Sequence, residues 1–271
     1  EALAYLESRG LKHEGLISHF HLGFSNRTLG LRLPDTNRLA GATVRRRLQA
    51  LGVIRESGHE HLVGSLVVPI HDEAGAVVGL YGRKVTKGLR PGTPDHLYLP
   101  GPHRAAFNSA ALAGQRVAIV CEAIIDALSF WAAGHRNVIA AYGVEGFTPH
   151  HLAALKRHGV REVLLAYDRD DAGDAAAEAL GKALSGEGFG CYRVLFPRGM
   201  DANAYACAVK PADKALAAAL RAAAWLGGGA APAVPDFASS LAASLAFGLE
   251  GERRVNAPVS AKSASVSVAL E

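Results

Sequence analysis

The chain has 271 residues, enough for one large or two modest domains, and its 49% hydrophobic content favours a globular protein over a disordered one. It has no apolar run long enough to cross a membrane and no basic-then-apolar leader, so we expect a cytoplasmic protein. The three cysteines are far apart and argue against a disulfide framework or a cysteine zinc site. A net charge of +4 suits a phosphate-bearing partner but is weak support for one.

The first region, residues 1–110, mixes short helical and strand-like pieces and predicts a mixed α+β subdomain. Apolar spacing and glycine stops predict helices at Ala2–Ser8, Leu16–Phe20 and Thr43–Leu51. Two β-rich runs, Leu66–Ile70 and Val77–Arg83, predict a hairpin. Gly75 supplies the positive φ that its turn needs.

The second region, residues 113–208, alternates apolar strands with helices. We predict strands at Val117–Cys121, Asn137–Tyr142, Glu162–Tyr167 and Cys191–Phe196. We predict helices at Ile125–Ala133, Thr148–His158 and Ala172–Leu184. This alternation with short links predicts an α/β domain, a parallel sheet with helices on its faces.

The last part of the chain carries less information. Residues 209–226 include one predicted helix, over 212–226. Residues 227–271 are low-complexity, rich in Gly, Ala, Ser and Pro, with one apolar stretch at Phe237–Phe247 that favours a helix. We interpret this tail as a linker rather than a catalytic segment.

Acidic residues follow two of the predicted strands. Val117–Cys121 ends in Glu122, and the strand at 162–167 ends in Asp168, with Asp170 two residues on. In parallel sheets functional groups gather at the carboxyl ends of strands, so we expect these acids to converge. Several carboxylates in one place repel each other unless a cation neutralises them, and oxygen ligands favour Mg²⁺ or Mn²⁺. The alternative is that Asp170 or Asp171 merely caps the following helix.

These acids stand in motifs that resemble the TOPRIM domain, whose fold is a Rossmann-like parallel sheet. Glu122-Ala-Ile-Ile-Asp126 resembles its first signature, although Ala123 replaces the usual glycine, as in some primase-like proteins of mobile elements. Asp168-Arg-Asp170-Asp-Ala-Gly resembles the second signature. The resemblance implies that Glu122 is the catalytic acid/base or a metal ligand and that Asp168 and Asp170 hold magnesium.

A third segment, Gly199-Met-Asp201-Ala-Asn203, looks like the acidic loop after the last TOPRIM strand. By that likeness Asp201 helps a second metal, whereas Asn203 stands where a second acid is common.

The first region resembles the subdomain that precedes TOPRIM in bacterial replicative primases. The likeness rests on the helix-and-glycine pattern up to Gly52 and on the hairpin from Pro69 to Arg83. Arg83 and Lys84 end the hairpin and are the best basic candidates for a nucleotide or a phosphate backbone. The alternative is that they are solubilising surface charges.

Three functions follow as hypotheses. The leading one is a magnesium-dependent primase that joins nucleoside triphosphates into RNA primers on single-stranded DNA, with a replicative helicase as a further expected partner. The second is a TOPRIM-type nuclease, in which the same acids activate water. The third is a non-catalytic accessory protein of a mobile element that binds single-stranded DNA.

Overall fold

A computed structural model describes residues 1–88 and 92–227. The described chain forms two β-sheets with helices packed around them. The first sheet comes from the predicted α+β region and the second from the predicted α/β region.

The first sheet is antiparallel, in the order β1-β2-β3-β4. Its strands are β1 (Gly23–Phe24), β2 (Ser65–His71), β3 (Val77–Lys84) and β4 (His96–Tyr98). The helices around it are α1 (Ala2–Ser8), α2 (Glu14–His19), α3 (Leu29–Arg32) and α4 (Leu39–Ala50). The three predicted helices and the hairpin are confirmed, and Gly75 adopts a φ of +82° in the hairpin turn. The sequence did not predict β1, β4 or α3.

The second sheet has the order β6-β5-β7-β8-β9, with the first four strands parallel. Its strands are β5 (Val117–Cys121), β6 (Val138–Ala140), β7 (Glu162–Ala166), β8 (Gly190–Arg193) and β9 (Ala224–Trp225). Its helices are α5 (Ile124–Ala132), α6 (Pro149–Arg157), α7 (Asp171–Gly186), α8 (Ala202–Ala208) and α9 (Ala212–Arg221). The predicted parallel α/β domain is therefore confirmed.

Helices cover both faces of this sheet. Alternate residues of each strand point to opposite faces, so Ile119 and Val120 of β5 belong to different hydrophobic cores. Helices α5, α8 and α9 pack on the Ile119 face, and that core continues into the first sheet through residues such as Leu66 and Tyr81. Helices α6 and α7 pack on the Val120 face.

The predicted helix over 212–226 is wrong in its last part. Helix α9 ends at Arg221, and the chain then forms β9, which pairs antiparallel with β8. Trp225 packs its ring 5.0 Å from that of Tyr192, and the Leu226 amide donates to the Cys191 carbonyl at 2.9 Å. Pairing with the exposed edge of β8 outweighs the helical propensity of the alanine-rich segment. The predicted helix at Phe237–Phe247 lies outside the described residues.

The neighbouring histidines His150 and His151 lie in different environments, one at the surface and one in the core. His150 is exposed, but His151 is fully buried. Its ring accepts a hydrogen bond from the Thr148 amide at 3.0 Å and contacts the Ala140 carbonyl at 2.9 Å. His151 therefore completes the N-terminal cap of α6.

No helix in the described ranges is both long and apolar enough to span a membrane. The three cysteines are free thiols, of which Cys121 and Cys191 are buried.

Candidate active site

The two central strands β5 and β7 bring the predicted acids together. Cys121 pairs with Ala166 across these strands, so Glu122 lies level with Tyr167, and Asp168 lies one residue beyond. Strand β5 is apolar and buried throughout, and β7 is apolar and buried after Glu162, so the next polar side chains emerge only beyond the ends of these strands. We call the ends of β5 and β7, with Glu122, Asp168 and Asp170, the acidic edge.

Two carboxylate oxygens at the acidic edge have no hydrogen-bond partner. Glu122 Oε2 and Asp168 Oδ1 are both inaccessible to solvent and bonded to nothing in the chain. Buried polar atoms of folded proteins are almost always satisfied. A cation or a hydrogen-bond donor from outside the chain would satisfy both oxygens.

The electrostatic environment of the acidic edge disfavours negative charge. Burial, and then the charges of Asp168 and Asp170, raise the pKa of Glu122 to about 7. Burial, followed by the charges of Asp201 and Asp170, raises the pKa of Asp168 to about 6. A cation at this position would relieve both effects, because it favours the ionised form of each carboxyl group.

Asp170 and Asp201 each cap a helix. Asp170 Oδ1 accepts from the Gly173 amide at 2.7 Å at the start of α7, and Asp201 Oδ1 accepts from the Ala204 amide at 2.5 Å at the start of α8. Asp170 therefore caps α7, as the alternative interpretation proposes. Each of these caps uses only Oδ1, so the other carboxylate oxygen of each residue is available for another ligand.

Asp126 lies beneath the acidic edge rather than on it. It is buried in the first turn of α5, where its Oδ1 accepts from the Asn203 amide at 3.0 Å. Burial, with the nearby Asp201 and Asp168 charges, raises its pKa well above the usual range. Asp126 therefore joins α5 to α8 and supports the site from below.

Arg193 is a site residue that the sequence did not indicate. Its guanidinium is buried and donates to the carbonyls of Tyr167 at 2.9 Å and Asp168 at 2.8 Å. It also forms an ion pair with Asp174 at 2.9 Å. Arg193 therefore holds the end of β7 and places a permanent positive charge next to the acids. An arginine in a predicted strand gives no local sign of such a role.

The loop after β8 lies against the loop that carries Asp168 and Asp170. The Gly199 amide donates to the Arg169 carbonyl at 2.9 Å, and the Arg169 amide donates to the Met200 carbonyl at 3.0 Å. Arg198, which is exposed, pairs with Asp171 at 3.0 Å and with Asp174 at 3.1 Å. The loop thus brings the guanidinium of Arg198 to the start of α7, next to the acidic edge.

The predicted basic pair Arg83 and Lys84 is in contact with the protein itself. Arg83 forms an ion pair with Asp95 at 3.4 Å and a hydrogen bond with His96, and its side chain is only 16% exposed. Lys84 donates to the Val63 carbonyl. Burial, and then the Arg55 and Arg27 charges, lower the pKa of Lys84. Lys84 therefore belongs to a positively charged surface that the sequence did not link to Arg27 and Arg55.

The donor set of the acidic edge fits a hard divalent cation. The available ligands are carboxylate oxygens, and two of them are buried and unpartnered. In residues 1–88 and 92–227, no group of three or more His, Cys, Asp or Glu side chains is placed so that it could hold a metal ion. Mg²⁺ is commonly bound by one or two carboxylates and completes its shell with water and phosphate oxygens.

Two protein-family models match the chain. Residues 1–110 match the N-terminal domain of the DNA primase catalytic core, and residues 119–206 match a Toprim-like domain. The two matches follow each other in the chain, and the acidic edge lies within the second.

Curated relatives agree with these matches. The DNA primase of Synechococcus elongatus is 31% identical over 226 residues, which are 75% of this chain and 31% of that protein. The DNA primase of Campylobacter jejuni is 28% identical over 193 residues, 65% of this chain and 30% of that protein. The chain has the catalytic core of a bacterial DNA primase. It spans about a third of the length of these relatives.

Solved structures of primase catalytic cores have a fold similar to that of this chain. A DnaG catalytic core is 26% identical with a TM-score of 0.69, over 83% of this chain and 73% of that one. A DnaG primase catalytic domain bound to single-stranded DNA is 27% identical with a TM-score of 0.66, over 83% of this chain and 74% of that one. The predicted family and fold are therefore confirmed.

Proposed function

We propose that this chain is the catalytic part of a DNA primase, which synthesises RNA primers on single-stranded DNA by metal-dependent nucleotidyl transfer. The observation that carries the proposal is the pair of buried, unpartnered carboxylate oxygens on Glu122 and Asp168. They lie in a Toprim-like domain that follows a primase N-terminal domain. The single-stranded DNA in a related solved structure supports the choice of template.

Glu122, Asp168 and Asp170 are the residues that would hold Mg²⁺ or Mn²⁺, with Asp201 as a further ligand. When bound, such an ion neutralises phosphate charge and orients the triphosphate for in-line attack. Asp168 and Asp170 supply carboxylate oxygens from one short loop. The hydrogen bonds from Arg193 and Gly173 hold that loop in place.

Glu122 is also the residue that would accept a proton from the attacking 3′-hydroxyl. Without a cation the pKa of Glu122 is raised to about 7, and a bound ion would lower it and favour the ionised carboxylate, the form that a general base needs. The carbonyl of Glu122 accepts from the Gly143 amide at 3.2 Å, and this bond fixes the backbone below the carboxylate.

The nucleic acid needs positive charge along its path. Arg83 and Lys84 are our candidates for contacts with template or nucleotide phosphates, together with the nearby Arg27 and Arg55. Arg83 would have to leave its partners Asp95 and His96 to make such a contact. Nucleoside triphosphates are the proposed substrates, and a replicative helicase stays a predicted partner.

Primer synthesis from labelled ribonucleotides on single-stranded DNA tests the proposal. The parent chain with Mg²⁺ should make short RNA products. Glu122→Gln and Asp168→Asn should each lower the rate by roughly a hundredfold or more, since each removes a charge from the reacting centre. Glu178→Gln, a change of an exposed acid on α7, serves as the matched control and should retain the parent rate.

Other results would contradict the primase assignment. Metal-dependent cutting of the template without primer synthesis would identify a nuclease. Equal rates for the parent chain and Asp168→Asn would place the chemistry away from the acidic edge.

A further inference from the structure

Two aromatic rings lie stacked beside the acidic edge and take no part in the mechanism above. The rings of His103 and Tyr142 are 3.7 Å apart between centroids and only 7° from parallel. We call these two residues the stacking pair. Both side chains are partly exposed, so the pair is not enclosed in a core.

The stacking pair is close to Glu122 along the backbone hydrogen bonds. Tyr142 follows β6, which pairs in parallel with β5. On either side of Tyr142, the Ala141 amide donates to the Cys121 carbonyl at 2.9 Å and the Gly143 amide donates to the Glu122 carbonyl at 3.2 Å. The ring of Tyr142 therefore starts from a backbone position next to the proposed general base.

The pair also lies at the junction of the two sheets. His103 and Tyr142 line a narrow cleft together with Tyr98 and with residues of the hairpin, including Ile70 and Gly79.

The rings are held in place before any ligand arrives. The Tyr142 hydroxyl donates to the Ala105 carbonyl. The ring of Tyr98 lies 4.9 Å from His103 and 5.2 Å from Tyr142, nearly perpendicular to both. Within the described ranges, the only ring contacts of His103 are with Tyr98 and Tyr142. One face of the imidazole is thus stacked on Tyr142, and no other described ring is stacked on the opposite face.

We propose that the stacking pair is a nucleobase-binding platform, on which a base of the bound nucleic acid or of the incoming nucleotide stacks against the face of His103 that points away from Tyr142. The inference rests on the proposed function only in that it requires a nucleic-acid or nucleotide ligand. Flat, partly exposed rings bind bases through their π-faces with little sequence preference. Burial lowers the pKa of His103, so the platform is a neutral ring at pH 7 rather than a cation.

Fluorescence of 2-aminopurine measures this stacking directly. The full chain is titrated into single-stranded oligonucleotides that carry one 2-aminopurine at successive positions, and separately into 2-aminopurine riboside triphosphate with Mg²⁺. The parent chain should quench one of these probes, which tells whether template or nucleotide supplies the base. His103→Ala should abolish the quenching and weaken binding of that probe by roughly five- to a hundredfold.

The controls separate stacking from folding and from charge. His103→Phe keeps a flat ring without the imidazole nitrogens and should retain the quenching and bind within about twofold of the parent. His150→Ala removes an exposed histidine elsewhere in the same domain and should behave as the parent chain does. Thermal unfolding should place all three variants within a few degrees of the parent.

Three results would overturn the platform: no quenching of either probe by the parent chain, equal binding by His103→Ala and the parent, or equal losses in His103→Ala and His103→Phe. Failure of the proposed function gives a different pattern. If the parent chain makes no primers but quenches a probe, and His103→Ala loses this quenching, the primase proposal fails and the platform stands. If the parent chain makes primers but His103→Ala binds the probe as the parent does, the platform fails and the primase proposal stands.

Discussion

Glu122 and Asp168 destabilise the folded protein when no cation is bound. Burial and the charges of neighbouring aspartates raise the pKa of both carboxyl groups, so ionising them at pH 7 is less favourable in the folded state than in the unfolded chain. This contribution to stability is greatest at low pH and falls as pH rises from the unfolded values of about 4 through the raised ones. Without a cation, the acidic edge therefore lowers the free energy of unfolding at neutral pH.

This cost leads to a prediction for Asp168→Asn. Without divalent cations at pH 7.5, the variant should unfold at a temperature roughly 2–4 °C higher than the parent, because the amide removes one repelling charge. Magnesium should raise the melting temperature of the parent and have little effect on the variant. Differential scanning fluorimetry in chelator and across a magnesium series measures both effects.

The control for this measurement is again Glu178→Gln, which changes one charge at an exposed position of α7. It should follow the parent in chelator and in magnesium. If Asp168→Asn were stabilised by magnesium as strongly as the parent, Asp168 would not be a ligand.

At the level of elements, the position of Asp168 depends on how α7 begins. A Cβ atom on Gly173 would lie 2.3 Å from the Asp168 carbonyl oxygen, far inside contact distance. Gly173 also donates its amide to Asp170. One glycine in the first turn thus allows the helix to approach both acids of the loop.

Gly173→Ala should therefore damage both the fold and the site. The backbone contact forces the Asp168 peptide to move, which should lower the melting temperature by roughly 2–10 °C. A shift of this kind in a catalytic group should cost about a hundredfold in primer synthesis. Gly186→Ala, at the other end of the same helix, is the matched control.

Alanine at Gly186 meets no atom within 4 Å, so this change should leave stability unchanged or slightly increased. If Gly173→Ala and Gly186→Ala had the same melting temperature and the same rate of primer synthesis, the close approach of α7 to Asp168 would not be needed for stability or activity.

The elements that the sequence predicted well are those with strong local patterns. The buried runs of β5 and β7 mark their own ends, so Glu122, Asp168 and Asp170 could be placed at one edge. Strand β9 could not be predicted, because its alanine-rich sequence favours a helix and only the free edge of β8 makes it a strand. Arg193 and His151 were missed for the same reason, since their partners are distant in sequence or are backbone atoms.

At the scale of the whole molecule, Asn203 joins the two regions of the chain. Its side-chain amide donates to the Arg9 carbonyl at 2.9 Å and to the Ser129 hydroxyl at 2.8 Å, and it is buried. A carboxylate cannot donate these bonds. The position at which TOPRIM domains commonly carry a second acid is thus used here to hold α1 against α5.

Asn203→Asp should weaken the molecule rather than add a metal ligand. We expect a loss of roughly 1–3 kcal/mol in the free energy of unfolding, since two buried acceptors lose their donor and a charge appears near Asp126. The Arg9 guanidinium, 3.3 Å from the Asn203 oxygen, would offset part of this loss. Urea denaturation measures the difference, with Asn37→Asp at an exposed position as the control. Tighter magnesium binding by Asn203→Asp would contradict this view.

Strand β9 also decides in which direction the chain leaves the sheet. Because β9 runs antiparallel to β8, with Ala224 opposite Arg193 and Trp225 opposite Tyr192, it travels away from the acidic edge. Residue 227 therefore lies towards the opposite rim of the sheet from Glu122 and Asp168. A label attached directly after residue 227 would therefore start from the rim of the sheet opposite the carboxylates.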